Sequence, residues 1–307
     1  MSQSIQDYAT DAVSSQSRSL FAVVAFSLFL DYFLYGLLFP LAAHSPAGLK
    51  GDGHLALLYG VYAVSVLLVT PLFGYLGDRI GSRSTMMSGA VLAVCAVSLL
   101  AGATNLSVML LGKFCQGAAS AALWTSGLAL IATNYVEKRV VMLGYAFTAG
   151  TLGSVTGPIA GGLLYRAAGY KLPFLLTGGG FAIAAVGIGC LPAAAKQRHD
   201  AVNVRALLAD RSILVPAASV ALAAFSMGII EPLLPVRLAR YGLTSIAIGI
   251  MFTVSALVYG FSSPLVGRVS ERFPIQRVIV WGPLQWRPRF PSWRLSEEQY
   301  WSASRYA

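Results

Sequence analysis

The sequence predicts an all-α integral membrane protein, built as a bundle of transmembrane helices. Three observations predict it. Apolar residues make up 56% of the 307 and charged residues only 11%, where a soluble domain carries about a quarter charged residues; mean hydropathy is +0.69. The apolar residues gather into eight runs of about 20 residues or more, the length at which a helix crosses a bilayer. Between two of these runs lies a charged, glycine-studded motif, Gly74-Tyr75-Leu76-Gly77-Asp78-Arg79-Ile80-Gly81-Ser82-Arg83. A weaker copy, Gly267-Arg268-Val269-Ser270-Glu271-Arg272-Phe273, follows 193 residues later, and each copy is preceded by Pro-Leu, at Pro71-Leu72 and Pro264-Leu265.

The elements follow in order. Residues 1–18 are polar, with Asp7 and Asp11, and lack the basic stretch of a cleaved signal. The first apolar run, 19–41, is therefore expected to be a retained signal-anchor helix. Further helices are expected at 55–77, 86–105, 107–132, 139–165, 172–193, 212–236 and 244–267. Tight polar turns separate most of them, and a charged linker, 194–211, separates the sixth from the seventh. Basic residues favour cytoplasmic loops. One set of loops holds Arg18, Arg79, Arg83, Lys138, Arg139, Lys196, Arg198, Arg205, Arg211, Arg268, Arg272 and Arg277; the opposite set holds Lys50, Arg166, Lys171, Arg237 and Arg240. Twelve against five places the N-terminus, the linker and the tail in the cytoplasm. The same bias accounts for the net charge of +10 without a nucleic-acid partner.

A second landmark repeats. Gly36 through Pro40 closes the first helix and Glu231 through Pro235 closes the seventh, an offset of 195. Parallel six-helix repeats are one transporter plan. The expected organisation is a six-helix half over 19–193, the linker, a partial second half over 212–280 and a tail over 281–307. The tail breaks the plan: Arg277 to Trp281 starts like a ninth helix, then Pro283, Pro288 and Pro291 arrive among Arg287, Arg289 and Arg294. Proline at that density stops a helix and the arginines do not stay in lipid. The tail is expected to be cytoplasmic and irregular, out-of-frame or otherwise unrelated sequence, and the chain truncated after eight helices.

Soluble enzyme chemistry finds no support. Cys95, Cys115 and Cys190 lie within apolar runs, with no metal-ligand spacing, and no catalytic triad or phosphate loop is present. The expectation is no enzyme, no cofactor and no metal; the partners are a small-molecule substrate, protons and the lipid bilayer.

Chemistry resides instead in polar groups at membrane depth. Asp31 lies about 13 residues into the first helix, where a carboxylate is expensive unless it is neutral, paired or facing water. Ser27, Asp31 and Tyr35 stand at i, i+4 and i+8, one polar stripe expected to face a central cavity. Such an acid can exchange a proton for a cationic substrate; the alternative is a buried acid that only bonds neighbouring helices. Glu231, followed by Pro232 and Pro235, makes a similar claim beside carbonyls that the prolines leave free, against the alternative of a hydrated interfacial glutamate. Lys113 lies well inside the fourth run, with Gln116, Gly117, Ser120 and Trp124 extending its face. It implies a partner acid, for which Asp31 is the candidate, or else a chain that snorkels to an interface. In the fifth run Gly153, Gly157 and Gly161 recur every fourth residue, a smooth face for close helix packing, and Pro158 permits a bend. That face is either a bendable seam or simple packing. Asp78 is placed to meet Arg83 or a helix N-terminus across a turn eased by Gly74 and Gly81.

These residues resemble the major facilitator superfamily, whose full fold is twelve helices in two six-helix halves. Gly74, Leu76, Asp78, Arg79, Gly81 and Arg83 match its G-x-L-x-D-R-x-G-R/K-R/K signature in register, and Ser82 departs from it. Lys113-Phe114-Cys115-Gln116-Gly117 is similar to the family's R-x-x-Q-G element, with lysine for arginine. Gly153, Gly157, Pro158, Gly161 and Gly162 match G-x-x-x-G-P-x-x-G-G of the antiporter branches. The resemblance implies a major facilitator-type bundle with about eight of the twelve helices present. It also implies that the Gly74–Arg83 turn latches the two halves in the outward-facing state; the alternative is a hydrated loop. Leu28 through Pro40 and Met227 through Pro235 resemble drug/proton antiporters related to vesicular amine transporters, which implies cavity-facing acids at Asp31 and Glu231. The activity so implied is proton-coupled efflux of a small cationic or amphiphilic molecule by alternating access, in a plasma or bacterial inner membrane. The alternatives are a metabolite symporter of the same fold or a non-transporting remnant.

Overall fold

The computed structural model describes residues 2–42, 52–191 and 245–272, with a few isolated positions between 214 and 241. The described residues fall in two compact units, Met1–Gly267 and Arg268–Ala307. The second is described only for Arg268–Arg272, which are helical. The linker, most of the seventh expected helix, Glu231 and the tail lie outside the described residues.

Seven helices are described: α1 Ser2–Ala42, α2 Asp52–Ile80, α3 Ser82–Ala101, α4 Leu106–Asn134, α5 Arg139–Ala168, α6 Lys171–Cys190 and α7 Ser245–Arg272. Among the described residues, six helices are long and apolar enough to cross a membrane, and these are spans within α1 to α6. Helix α1 extends through the polar residues expected to precede the first span. No glycine or proline interrupts residues 2–18, so the backbone has no reason to leave the helix there.

The bundle follows from which faces are smooth and which are bulky. Helix α1 packs along α5 and also touches α6 and α4; α3 packs on α4 and α6; α2 packs on α4. Leu28, Leu34, Leu37, Met86, Leu100, Phe174 and Phe181 fill the centre. Helix α4 runs through the middle, with small residues Gly112, Gly117, Ala118, Ala119, Ala121 and Ala122 buried along it. Small residues let backbones approach closely when lipid supplies no hydrophobic drive between helices. Helix α2 is the least enclosed: Leu67 is 74% exposed and Leu68 65%. Helix α7 rests on α5, where Thr148 Oγ1 donates to Gly260 O at 2.6 Å.

Local signals place the ends. Asn105 caps α4, its side chain accepting from Val108 N at 2.9 Å, an N-cap preference with a clear mechanism. Gly81 breaks α2 from α3 at φ +91°, a backbone state that L side chains avoid. The motif expected as a loop is therefore mostly helix: Gly74 through Ile80 form the last turns of α2 and only Gly81 turns. Its weaker copy does the same, since Gly267 through Arg272 close α7. Pro71 and Pro264 lie inside these two helices at matching distance from their ends.

Candidate functional site

Asp31 lies within the apolar span Ser17–Leu38 of α1 and is 1% exposed. Ser120 Oγ donates to its Oδ2 at 2.6 Å, and Trp124 Nε1 donates to the same oxygen at 2.9 Å. Both donors stand on one face of α4, four residues apart, as helical spacing demands. The other carboxylate oxygen, Oδ1, accepts no hydrogen bond among the described residues. Ser27, one turn earlier, turns its hydroxyl back to Val23 O at 2.8 Å, so the expected stripe contributes Asp31 and Tyr35 to the site and spends Ser27 within its own helix.

Lys113, one to two turns before Ser120 on α4, is fully buried. Its Nζ donates to Gln116 Oε1 at 2.8 Å. The remaining neighbours are aromatic faces: the ammonium lies 4.7 Å from the Tyr59 ring centroid and 5.7 Å from those of Tyr35 and Tyr62. Ring faces within about 6 Å attract a cation through their quadrupoles. The three rings brace one another, with Tyr35 centroids 4.8 Å from Tyr59 and 5.1 Å from Tyr62. Tyr59 also donates its hydroxyl to Tyr35 O at 2.9 Å. Among the described residues Lys113 forms no ion pair with Asp31; the direct partnership expected from the sequence is replaced by a cage.

The two charged groups are joined through Tyr62. Its ring faces Lys113 and its hydroxyl donates to Ser120 Oγ at 3.0 Å, which donates to Asp31. The order Tyr62, Ser120, Asp31 is thus a directed chain of donors ending on a carboxylate. Gln116 is 1% exposed, and its Nε2 has no hydrogen-bond partner among the described residues. Trp124 closes the far side, its ring centroid 5.0 Å from Tyr32 and 5.4 Å from Phe147.

Helix α5 holds α1 in place. A Cβ on Gly153 would lie 2.9 Å from Phe33 N and closer still to Phe29 O. One on Gly157 would lie 3.1 Å from Leu37 N and closer to Phe33 O. The two glycines therefore sit directly on the α1 backbone, one at the level of Asp31 and one a turn beyond it. Gly36 returns the contact, a Cβ there falling 2.9 Å from Pro158 Cδ. Gly161 is buried on the same face, whereas Gly162 faces open space.

The glycine-studded motif at the end of α2 is placed apart from this cluster. Arg83 reaches α6: its Nε donates to Ile188 O at 3.0 Å and its Nη2 to Gly189 O. These are last-turn carbonyls of α6, of which Ile188 O also accepts from the capping Leu191 N at 3.2 Å, and a cation complements the negative end of the helix. Arg79 stacks 4.7 Å over Tyr75. Asp78 is exposed and makes no hydrogen bond or ion pair with Arg83 among the described residues, so the expected contact is not the one formed. Tyr59 and Tyr62 were not singled out in the sequence; their i, i+3 spacing in an otherwise apolar run was the available signal.

The sequence profile of the Major Facilitator Superfamily matches residues 21–285. The probable vesicular acetylcholine transporter-B of Danio rerio is 32% identical over 170 residues, covering 52% of this chain and 34% of the relative. The vesicular acetylcholine transporter of Drosophila melanogaster is 29% identical over 192 residues, covering 53% of this chain and 33% of the relative. The chromaffin granule amine transporter of Homo sapiens is 26% identical over 252 residues, covering 74% of this chain and 47% of the relative. The matches span less than half the length of each of these curated relatives. The chain, a multi-pass membrane protein by its apolar helices, belongs to the Major Facilitator Superfamily.

Proposed function

We propose that the protein is a secondary active transporter that exports a small organic cation in exchange for protons by alternating access. One observation carries the reading: Asp31 is a carboxylate at membrane depth whose Oδ2 is held by two donors while Oδ1 accepts none. The bound oxygen fixes the group in position, and the open one is free to take either a proton or a substrate ammonium, which makes the two mutually exclusive. Mutual exclusion at one carboxylate is the minimum that exchange requires. The acetylcholine and amine transporters among the relatives support a cationic substrate class. On this reading Glu231 is a second proton-taking acid, the Gly153–Gly162 segment is the bendable seam, and Gly74–Arg83 shapes the cytoplasmic end as a gating element. The twelve-to-five distribution of basic residues supports a cytoplasmic N-terminus in a plasma or bacterial inner membrane.

The test is proton-driven efflux of a cationic dye from cells lacking other pumps, paired with reconstitution of the purified chain in liposomes. The expected result is dye-dependent proton flux that Asp31→Asn abolishes. Unimpaired efflux by Asp31→Asn refutes the assigned role. Absence of any substrate-dependent proton flux from the purified chain identifies it as a non-transporting remnant.

A further inference from the structure

Two unmet demands coexist in the α1–α2–α4 cluster. The Lys113 ammonium carries three N–H donors and has one oxygen acceptor, Gln116 Oε1. Asp31 Oδ1 accepts no hydrogen bond among the described residues. A buried ammonium and a buried carboxylate in one cluster normally resolve both demands by pairing, because an unpaired buried charge is strongly unfavourable. Here no direct ion pair forms among the described residues, although the two charges interact across the cluster. What holds Lys113 away is the set of three ring faces, Tyr35, Tyr59 and Tyr62, each within 6 Å of its nitrogen. A third demand is also unmet, since the Gln116 Nε2 donor beside the ammonium has no partner among the described residues. Apart from the one bond to Gln116 Oε1, the occupant of the cage is held by faces suited to any ammonium.

We infer that the Tyr35–Tyr59–Tyr62 cage is an ammonium-binding subsite that Lys113 fills as a tethered ligand. An external alkylated ammonium displaces Lys113, which then moves to the open oxygen of Asp31. Tyr62 makes the two positions sense each other, because its ring lines the cage and its hydroxyl leads through Ser120 to Asp31. Quaternary ammonium ions bind such aromatic enclosures without needing a hydrogen-bond acceptor, so tetramethylammonium is the minimal ligand. The inference rests on the cationic substrate class proposed above but not on transport, and binding to the purified chain tests it separately.

The experiment titrates tetramethylammonium into the purified full chain in detergent and follows Trp124 emission, since the indole donates to the carboxylate that Lys113 would approach. A Trp124→Phe control removes the signal of interest and leaves that of the four tryptophans in the last 27 residues. The wild type is expected to titrate weakly, because its own lysine competes. Lys113→Ala vacates the cage and is expected to bind the ion about tenfold more tightly or better; Lys113→Ser serves as the second short uncharged variant should Lys113→Ala fail to fold. Adding Tyr59→Leu to the vacated cage is expected to reverse the gain, since Tyr59 lies nearest the nitrogen. Equal affinity in the wild type and both uncharged variants overturns the inference, as does a gain that survives Tyr59→Leu. Binding as inferred together with failed efflux would leave the subsite standing and refute only the transport reading.

Discussion

Gly153→Ala offers the sharpest test of how the site is held. The added methyl would lie 2.9 Å from Phe33 N and closer to Phe29 O, where ordinary contact begins at 3.4 Å. The helices must therefore part by at least half an ångström, and neither obstacle is a side chain that could rotate away. Gly162→Ala is the matched control, because a methyl there meets nothing within 4 Å. Both changes gain the same helix propensity, about 1 kcal/mol from glycine to alanine. Overpacking a tight interface costs about 1–3 kcal/mol, so that amount should separate the two variants, with Gly162→Ala the more stable. Thermal and denaturant unfolding in detergent measures the difference. Trp124 emission gives a second readout, since Asp31 lies between Phe29 and Phe33 on α1 and a displaced α1 lengthens its bond to the indole. Equal stability of the two variants, with unchanged emission, refutes the argument that α5 glycines set the position of Asp31.

Three further outcomes follow from the same geometry. Arg83→Ala strips the guanidinium from the Ile188 and Gly189 carbonyls and should lower stability by about 1–2 kcal/mol, as expected for charge-assisted bonds at a partly exposed site. Arg83→Lys should restore only part of that in the same unfolding assay, because one ammonium cannot reach two carbonyls as the fork does. Gly81→Ala meets no atom within 4 Å yet must hold φ near +91°, so it should cost about 1–2 kcal/mol through backbone strain alone. Tyr170→Phe removes the hydroxyl bond to Leu100 O at 3.2 Å and should cost about 1 kcal/mol, detectable as an earlier separation of α3 from α6 by hydrogen exchange.

Much of this was legible in the chain because it is periodic. Six of the eight apolar runs expected from the sequence coincide with described membrane-length helices, α1 to α6. Asp31 and Lys113 announce themselves because charge at membrane depth has few innocent explanations, and Gly153 and Gly157 because a fourfold spacing draws a line down one face. The partners of these residues were not legible. Nothing along the chain says that Tyr59 and Tyr62 of α2 face Lys113 of α4, since that depends on how far one helix slides and turns against another. Arg83 and Ile188 lie 105 positions apart, and each has several plausible neighbours until α3 and α6 are packed. The expected Asp31–Lys113 partnership is not a direct ion pair among the described residues, although the two charges still interact across the cluster; that three rings on α1 and α2 stand around the ammonium depends on packing the chain does not spell out.

The close seat of α2 on α4 carries a consequence for selectivity. A Cβ on Gly117 would fall 2.5 Å from Tyr62 O and 2.8 Å from Ser65 Cβ, and Ser65 Oγ donates to Phe114 O at 2.6 Å nearby. The width of the aromatic enclosure is thus dictated one turn away, at a position that touches no ligand. On the proposed reading of the cage, an alanine at 117 would widen the gap between two tyrosines and the rest of the bundle, shifting preference toward bulkier ions while every contacting side chain stayed the same.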